Sequence, residues 1–287
     1  MRVELLGVDI GGTTIHVGLV ANNSIKKEAK ILVDREAAAA ITLQSLLNVI
    51  RQNLTGNVVA IGIGVPAVVD PDKGIVYDVQ NIPSWKEIPL KSILEKEFNI
   101  PVFINNDANC FALGEFTYGQ AKNYKNIIGL SLGTGIGMGI ISNGMLYNGV
   151  LCGAGEIGML SYKDSIIENY ASSFFFTEHY NATAKDLADE ARNGDKIALQ
   201  AFNEYGSHLG EAIKNILYLF APQAIILGGS ISKAYPFFKE KMLESVKGFA
   251  YQKQIENLII EVSQTNGSAL LGAASLCLQK TNNNALN

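Results

Sequence analysis

The chain has 287 residues, a formal net charge of −4, 48% hydrophobic and 17% charged residues, and 28 glycines. That composition is ordinary for a soluble globular protein with room for a proper core, in one large domain or two modest ones. Basic residues do not cluster, which argues against a nucleic-acid backbone or an anionic membrane as partner and leaves a small molecule.

No apolar run approaches the length of a bilayer span, and "MRVELLGVDIGG" reaches Asp9 and a glycine pair too early for a signal peptide, so a cytoplasmic protein is expected. Cys110, Cys152 and Cys277 stand far apart with no CxxC or Cys/His pair of zinc-finger type, and read as reduced, buried, small hydrophobes.

Alternation predicts three strands at the start, Val3 to Asp9, Ile15 to Val20 and Ile25 to Leu32, joined by tight turns. Helical spacing follows from Glu36 to Asn53, and "NVVAIGIGVP" is a strand that ends near Pro66, because proline cannot donate to a central ladder. A helix from Leu90 to Phe98, a short strand from Val102 to Ile104 and a helix from about Ala108 complete this part. The order then starts again. "NIIGLSLGTGIGMGIISNGMLYNG" repeats strand, glycine turn, strand and tight return, as in "LLGVDIGGTTIHVGLVANNSI". Either the chain holds two domains of like topology, or two glycine hairpins merely look alike. After Glu168 the chain turns mostly helical, with a long amphipathic stretch from Asp195 to Phe220. Strands at Ala224 to Leu227 and Leu258 to Val262 alternate with helices at Phe237 to Lys247 and Ser268 to Gln279. A boundary near Tyr118 to Asn123 gives domains 1–120 and 121–287, the last helix being free to pack back on the first.

Several stretches could do chemistry. "DIGGTT" (Asp9 to Thr14) and "GTGIG" (Gly133 to Gly137) are strand–turn–strand loops whose glycines let main-chain N–H groups approach a phosphate, with threonine hydroxyls adding donors. Each is also what a plain tight hairpin looks like, and neither is a Walker loop or a dinucleotide fingerprint. Asp9 either holds Mg²⁺ through water or caps its turn.

In "VFINNDANCFALGE" an apolar strand runs into Asn105, Asn106 and Asp107. Asp107 stands where open α/β sheets place ligands and also where a helix needs an N-cap. The amides of Asn105, Asn106 and Asn109 around one carboxylate suit a polyhydroxylated ligand better than a cap that needs a single oxygen. "GVLCGAGEIGM" adds Glu156 in a glycine-rich loop, "ENYAS" adds Glu168 at a helix start, and "IILGGSIS" ends a strand in Gly228, Gly229 and Ser230, a place for a planar adenine or a strand-to-helix turn.

With "DIGGTT", "GIGVP", "NNDANCFALGE", "LGTGIGMGI", "GAGEIG", "ENYAS" and "LGGSIS" in this order and spacing, the sequence resembles the ROK family of sugar kinases and repressors, in the actin/hexokinase-like ATPase superfamily. The resemblance runs over nearly the whole chain. It implies an α/β fold of two actin-like (ribonuclease H-like) domains flanking a cleft. It further implies an ATP- and Mg²⁺-dependent kinase acting on a hexose or amino sugar, and a homodimer.

By the same resemblance, Asp107 is the general base that takes the proton of the sugar hydroxyl, usually the one on C6. Asn106, Glu156 and Glu168 bind the sugar, with Pro66 beside it. Gly11, Gly12, Thr13, Thr14, Gly133, Thr134 and Gly135 form the two phosphate loops, Gly228 to Ser230 match the adenosine region, and Asp9 holds Mg²⁺ through water.

Family repressors carry a helix-turn-helix ahead of "DIGGT", whereas eight residues precede Asp9 here, which favours a kinase. Three departures stand out. Met159 replaces a histidine that touches sugar and binds a structural zinc in many members, and no cysteine follows it in "LSYKDSII", so zinc is not expected. Zinc-free members include N-acetylmannosamine kinases, which keeps that substrate beside glucose, and the lost contact also keeps open a catalytically silent sugar-binding protein. Thr14 stands where the family often has lysine, and Ala67 where it usually has glycine. His16, His179 and His208 read as structural.

Overall fold

In the computed structural model, which describes residues 3–79 and 82–284, the opening alternation forms three strands, β1 (Glu4–Ile10), β2 (Thr14–Ala21) and β3 (Ser24–Leu32), in consecutive antiparallel pairs. Helix α1 (Ala39–Asn53) follows, then β4 (Val58–Val65), which is apolar almost throughout because it pairs in parallel at the centre of the sheet. Short strands β5 (Val68–Asp70), β6 (Ile75–Tyr77) and β7 (Glu87–Ile88) make a separate three-stranded sheet that alternation did not predict, its members being too short to show a period. Helix α2 (Leu90–Phe98) ends on Asn99 in the left-handed conformation and returns the chain to β8 (Val102–Asn106), which runs straight into α3 (Asp107–Thr117). Strand β8 reaches two residues beyond the predicted end because its parallel ladder with β4 continues through Gly64↔Asn105 and Val65↔Asn106.

The pattern then recurs in β9 (Ile127–Leu132), β10 (Ile136–Ser142) and β11 (Met145–Leu146). A two-stranded hairpin, β12 (Ser161–Tyr162) with β13 (Ser165–Ile166), precedes α4 (Ile167–Ala171), α5 (Ser173–Tyr180) and α6 (Ala184–Arg192). Helix α7 (Lys196–Phe220) is the long amphipathic element, capped by the Asp195 carboxylate on the Ala198 N–H at 2.9 Å and burying Phe202, Tyr205, Leu209, Ile213 and Ile216 along one stripe. Last come β14 (Ala224–Gly228), α8 (Tyr235–Lys247), α9 (Gln252–Ile255), β15 (Ile259–Val262) and α10 (Ser268–Asn284).

The two large sheets have the same plan. One runs β3-β2-β1-β4-β8 and the other β11-β10-β9-β14-β15, each an antiparallel hairpin region continued by two parallel strands. The internal repetition is therefore topological, not a coincidence of glycine hairpins.

The chain divides into two compact units, one of Met1–Asn123 with Gly139–Ala154 and Gln264–Asn287, the other of Tyr124–Met138 with Gly155–Ser263. Both are discontinuous in sequence, α10 belonging with the first unit. The return of α10 to the first unit has a steric signature in glycines that admit its backbone. A Cβ on Gly62 would lie 1.7 Å from the Ala273 carbonyl oxygen, and one on Gly7 would lie 2.3 Å from that of Leu270. The core of this unit is Val, Ile and Leu from β1, β2, β4 and β8 packed with α1, α2 and the fully buried Trp85, whose indole N–H donates to the Ala39 carbonyl at 3.4 Å. Among the described residues no helix is long and apolar enough to cross a membrane.

Candidate functional site

In the first unit, β1, β4 and β8 end side by side, with Asp9 paired to Gly64 and Gly64 paired to Asn105 across the parallel ladder. Carboxyl ends of adjacent parallel strands are where such sheets hold ligands. Gly64 lets helix α3 start close against β4, since a Cβ there would lie 3.1 Å from Cys110 Sγ and 3.5 Å from Asp107 Cα.

The N-cap of α3 is the neighbour of Asp107 and not Asp107 itself. Asn106 is the N-cap, its Oδ1 accepting from the Ala108 N–H at 2.9 Å and the Asn109 N–H at 3.4 Å. Asp107 is the first helical residue, its Oδ1 2.9 Å from the Ala108 nitrogen, where the helix dipole favours negative charge. Asn106 Oδ1 is thereby committed to the backbone, while its Nδ2 lies 3.5 Å from the carbonyl of Ala67 in the turn after the half-buried Pro66.

Asp9 is strongly perturbed. Burial and then the charge of Asp107 push its carboxyl up to about 7, against a smaller opposing pull from Lys30. Lys30 is in register with His16, and His16 with Asp9, so the three stand in one row across β3, β2 and β1. The adjoining turn is tight, with the Gly11 N–H donating to the Thr14 carbonyl at 2.8 Å and Val33 N–H to that of Thr13 at 2.9 Å. The main-chain N–H groups of Gly12 and Thr13 meet no acceptor among the described residues. Two neighbouring carboxylates beside unengaged N–H donors form a set that fits a divalent cation together with phosphate oxygens, because the cation offsets the like charges that raise Asp9.

In the second unit, the Gly133–Gly135 turn joins β9 to β10 and is closed by the Gly133 N–H on the Gly135 carbonyl at 3.0 Å. Ser173 fastens it to α5, donating its N–H to the Gly133 carbonyl at 2.9 Å and its hydroxyl to that of Thr134 at 3.2 Å. Glu168 Oε2 accepts from the Ile136 N–H at 3.0 Å, an approach that needs glycine at 135, where a Cβ would lie 2.4 Å from that oxygen. Burial and then the charge of Glu168 raise the pKa of Glu156, so these two acids share one region. Gly228, paired with Ser131, ends the neighbouring strand β14, and Gly229 takes φ 82° where a Cβ would strike the Leu132 carbonyl at 2.2 Å. The second glycine turn and the Gly228–Ser230 turn thus adjoin at the carboxyl ends of two parallel strands.

Of the predicted site residues, Asp9, Gly11, Gly12, Thr13, Thr14, Pro66, Asn106 and Asp107 gather in the first unit, and Gly133, Thr134, Gly135, Glu156, Glu168, Gly228, Gly229 and Ser230 in the second. Met159 is about half exposed, at 52%. No group of three or more His, Cys, Asp or Glu side chains placed to hold a metal occurs among the described residues. Sequence reasoning missed Asn148, which accepts from Asn105 Nδ2 at 3.0 Å across 43 positions, a separation at which no local pattern signals a pairing.

Comparison with known proteins gives the family. Residues 5–280 match the family model described as "ROK family". A glucokinase of Halalkalibacterium halodurans is 29% identical, over 96% of this chain and 96% of its own. A xylose repressor of Bacillus spizizenii is 31% identical over 96% of this chain and 77% of its own length. Among solved structures, a ROK family glucokinase from Streptomyces griseus in complex with glucose and AMPPNP superposes with a TM-score of 0.83 at 27% identity, covering 96% of this chain and 99% of that one.

Proposed function

The chain belongs to the ROK family, and from that premise we propose that it is an ATP-dependent sugar kinase that phosphorylates a hexose hydroxyl, the one on C6. The observation that carries the proposal is the division of labour at the start of α3, where Asn106 caps the helix and leaves Asp107 at the strand mouth beside Asp9 and the Gly11–Thr14 turn. The glucokinases among its relatives point the same way.

In this reading the sugar hydroxyl loses its proton to the Asp107 carboxylate as its oxygen bonds to the γ-phosphorus of ATP and the bond to ADP breaks. A positioned base adds about 10²–10⁴-fold to such a step, the rest coming from alignment and charge neutralisation. In the Gly11–Thr14 and Gly133–Gly135 turns, the main-chain N–H groups not used to close the turn, those of Gly12, Thr13, Thr134 and Gly135, hold phosphate oxygens, and the Gly228–Ser230 turn receives the adenosine. Glu156 and Glu168 are acceptors for sugar hydroxyls. Asp9 is the residue that would hold Mg²⁺ through water, and Mg²⁺ when bound supplies neutralisation of phosphate charge.

The test is ADP release from Mg·ATP with glucose, mannose, fructose, N-acetylglucosamine and N-acetylmannosamine, beside Asp107→Asn. One sugar should drive turnover that the variant loses while keeping its fold and sugar binding. Near-normal turnover in Asp107→Asn removes the base assignment. Thermal stabilisation by a sugar without any ADP favours the second reading, a silent sugar-binding relative, which the exposed Met159 and the likeness to a xylose repressor support.

A further inference from the structure

The segment from Asn148 to Ala154 is a loop in which Gly149, Leu151 and Cys152 take φ values of 64°, 52° and 57°. Leu151 and Cys152 are not glycine, and such backbone persists only where its surroundings over-determine it. Three bonds within the first unit do so. The Ala154 N–H donates to the Asn148 carbonyl at 3.0 Å and closes the loop. The Gly153 N–H donates to the Val150 carbonyl at 2.9 Å, with the Cys152 side chain buried beneath. Asn148 Oδ1 accepts from Asn105 Nδ2 at 3.0 Å.

The orientation of the Asn105 amide, itself only 3% exposed, is forced. Its Oδ1 receives the Asn106 N–H at 2.8 Å and Asn109 Nδ2 at 2.9 Å. A main-chain N–H can only donate, so oxygen must face Asn106 and nitrogen must face Asn148, which in turn must present its oxygen. One side chain therefore bonds the residue before Asp107, the residue two after it, and the loop 43 positions away. The same loop carries Val150 and Leu151 outward, 86% and 40% exposed, and leads within two residues of Ala154 to Glu156.

We propose that Asn105 and Asn148 are positioning residues, the Asn105 amide holding the 148–154 loop in fixed register with the strand end and helix turn that carry Asp107. The proposal rests on the kinase reading for its kinetic consequence. A base works only when held within about 0.5 Å of its productive place by a supporting shell. The Asn105–Asn148 bond is such a support because it links that base's turn to a loop whose only regular element is the short 3-10 turn Val150–Cys152, itself strained at Leu151.

The test compares Asn148→Ala, which leaves Asn105 Nδ2 without its acceptor, with Asn148→Asp, which restores an oxygen there. Asn148 is half-buried, so both variants keep the core intact. Asn148→Ala should lower kcat about tenfold, with KM for Mg·ATP and the melting temperature little changed. Asn148→Asp should recover most of that loss. A kcat for Asn148→Ala within twofold of wild type, or an Asn148→Asp no better than the alanine variant, overturns the proposal. Should the wild type release no ADP with any sugar of the panel, the kinase reading falls and amide hydrogen exchange judges the link by itself. Faster exchange at Ala154 and Asn106 in Asn148→Ala then supports it, and unchanged rates overturn it.

Discussion

Replacing Gly272 by alanine tests how the last helix holds the helix that bears Asp107. A Cβ at this position would lie 1.7 Å from the Cys110 carbonyl oxygen and 2.7 Å from the Gly114 nitrogen, both backbone atoms of α3 that no rotamer change can move. Restoring contact distance requires α10 and α3 to part by roughly 1.5 Å, which sets the strain of the crossing. On its other side α10 already touches β1 and β4 through Gly7 and Gly62, so it cannot simply withdraw along with its partners. Overpacking of this kind costs about 1–3 kcal/mol, and the upper end applies because relaxation is blocked on both faces. Alanine gains back about 1 kcal/mol over glycine in a helix interior. The net loss is about 2 kcal/mol, or roughly 4–8 °C in Tm for a chain of this size. Gly56→Ala is the control, since no atom lies within 4 Å of its would-be Cβ, and its effect should stay within about 0.5 kcal/mol. Thermal melts of the three proteins measure the difference. A Gly272→Ala protein that melts within a degree of wild type would refute the claim that this crossing is glycine-dependent.

Two further predictions follow from the second unit. His208 lies against the rings of Tyr162, Tyr170 and Phe175 and accepts from, or donates to, Tyr162 Oη at 3.0 Å; burial, reinforced by Lys163, depresses its pKa to about 4. The unfolded chain, with an ordinary histidine, binds the proton first as pH falls, so stability declines between pH about 6.5 and about 4 and is unaffected by this group above that window. Denaturant titrations at pH 7.5 and 5 should therefore show a smaller loss for His208→Gln than for wild type, and equal losses would reject the assignment. Gly135→Ala places a Cβ 2.4 Å from Glu168 Oε2, so it should displace the carboxylate from the Ile136 N–H and raise the KM for sugar about tenfold or more with little change in melting. An unchanged KM would detach Glu168 from sugar binding.

The sequence read alone determined the kind and order of most elements and which acids stand at strand ends. Period-two and period-3.6 patterns arise from hydrogen bonding and burial within a few residues, which is why β1, β2, β3, β4, α7 and the repeated hairpin could be read directly. Asp107 could be located for the same reason, since an apolar strand that runs into Asn-Asn-Asp must end there. The tertiary structure decided what distance along the chain conceals. It assigned the cap to Asn106 and not Asp107, set Glu168 on the β10 turn across 32 positions, joined Asn105 to Asn148 across 43, and returned α10 to the first unit. The cap is local but ambiguous in sequence, because Asn106 and Asp107 can both accept from the first helical N–H groups, whereas the bonds across 32 and 43 positions have no local signature, because each depends on which distant groups packing brings within about 3 Å.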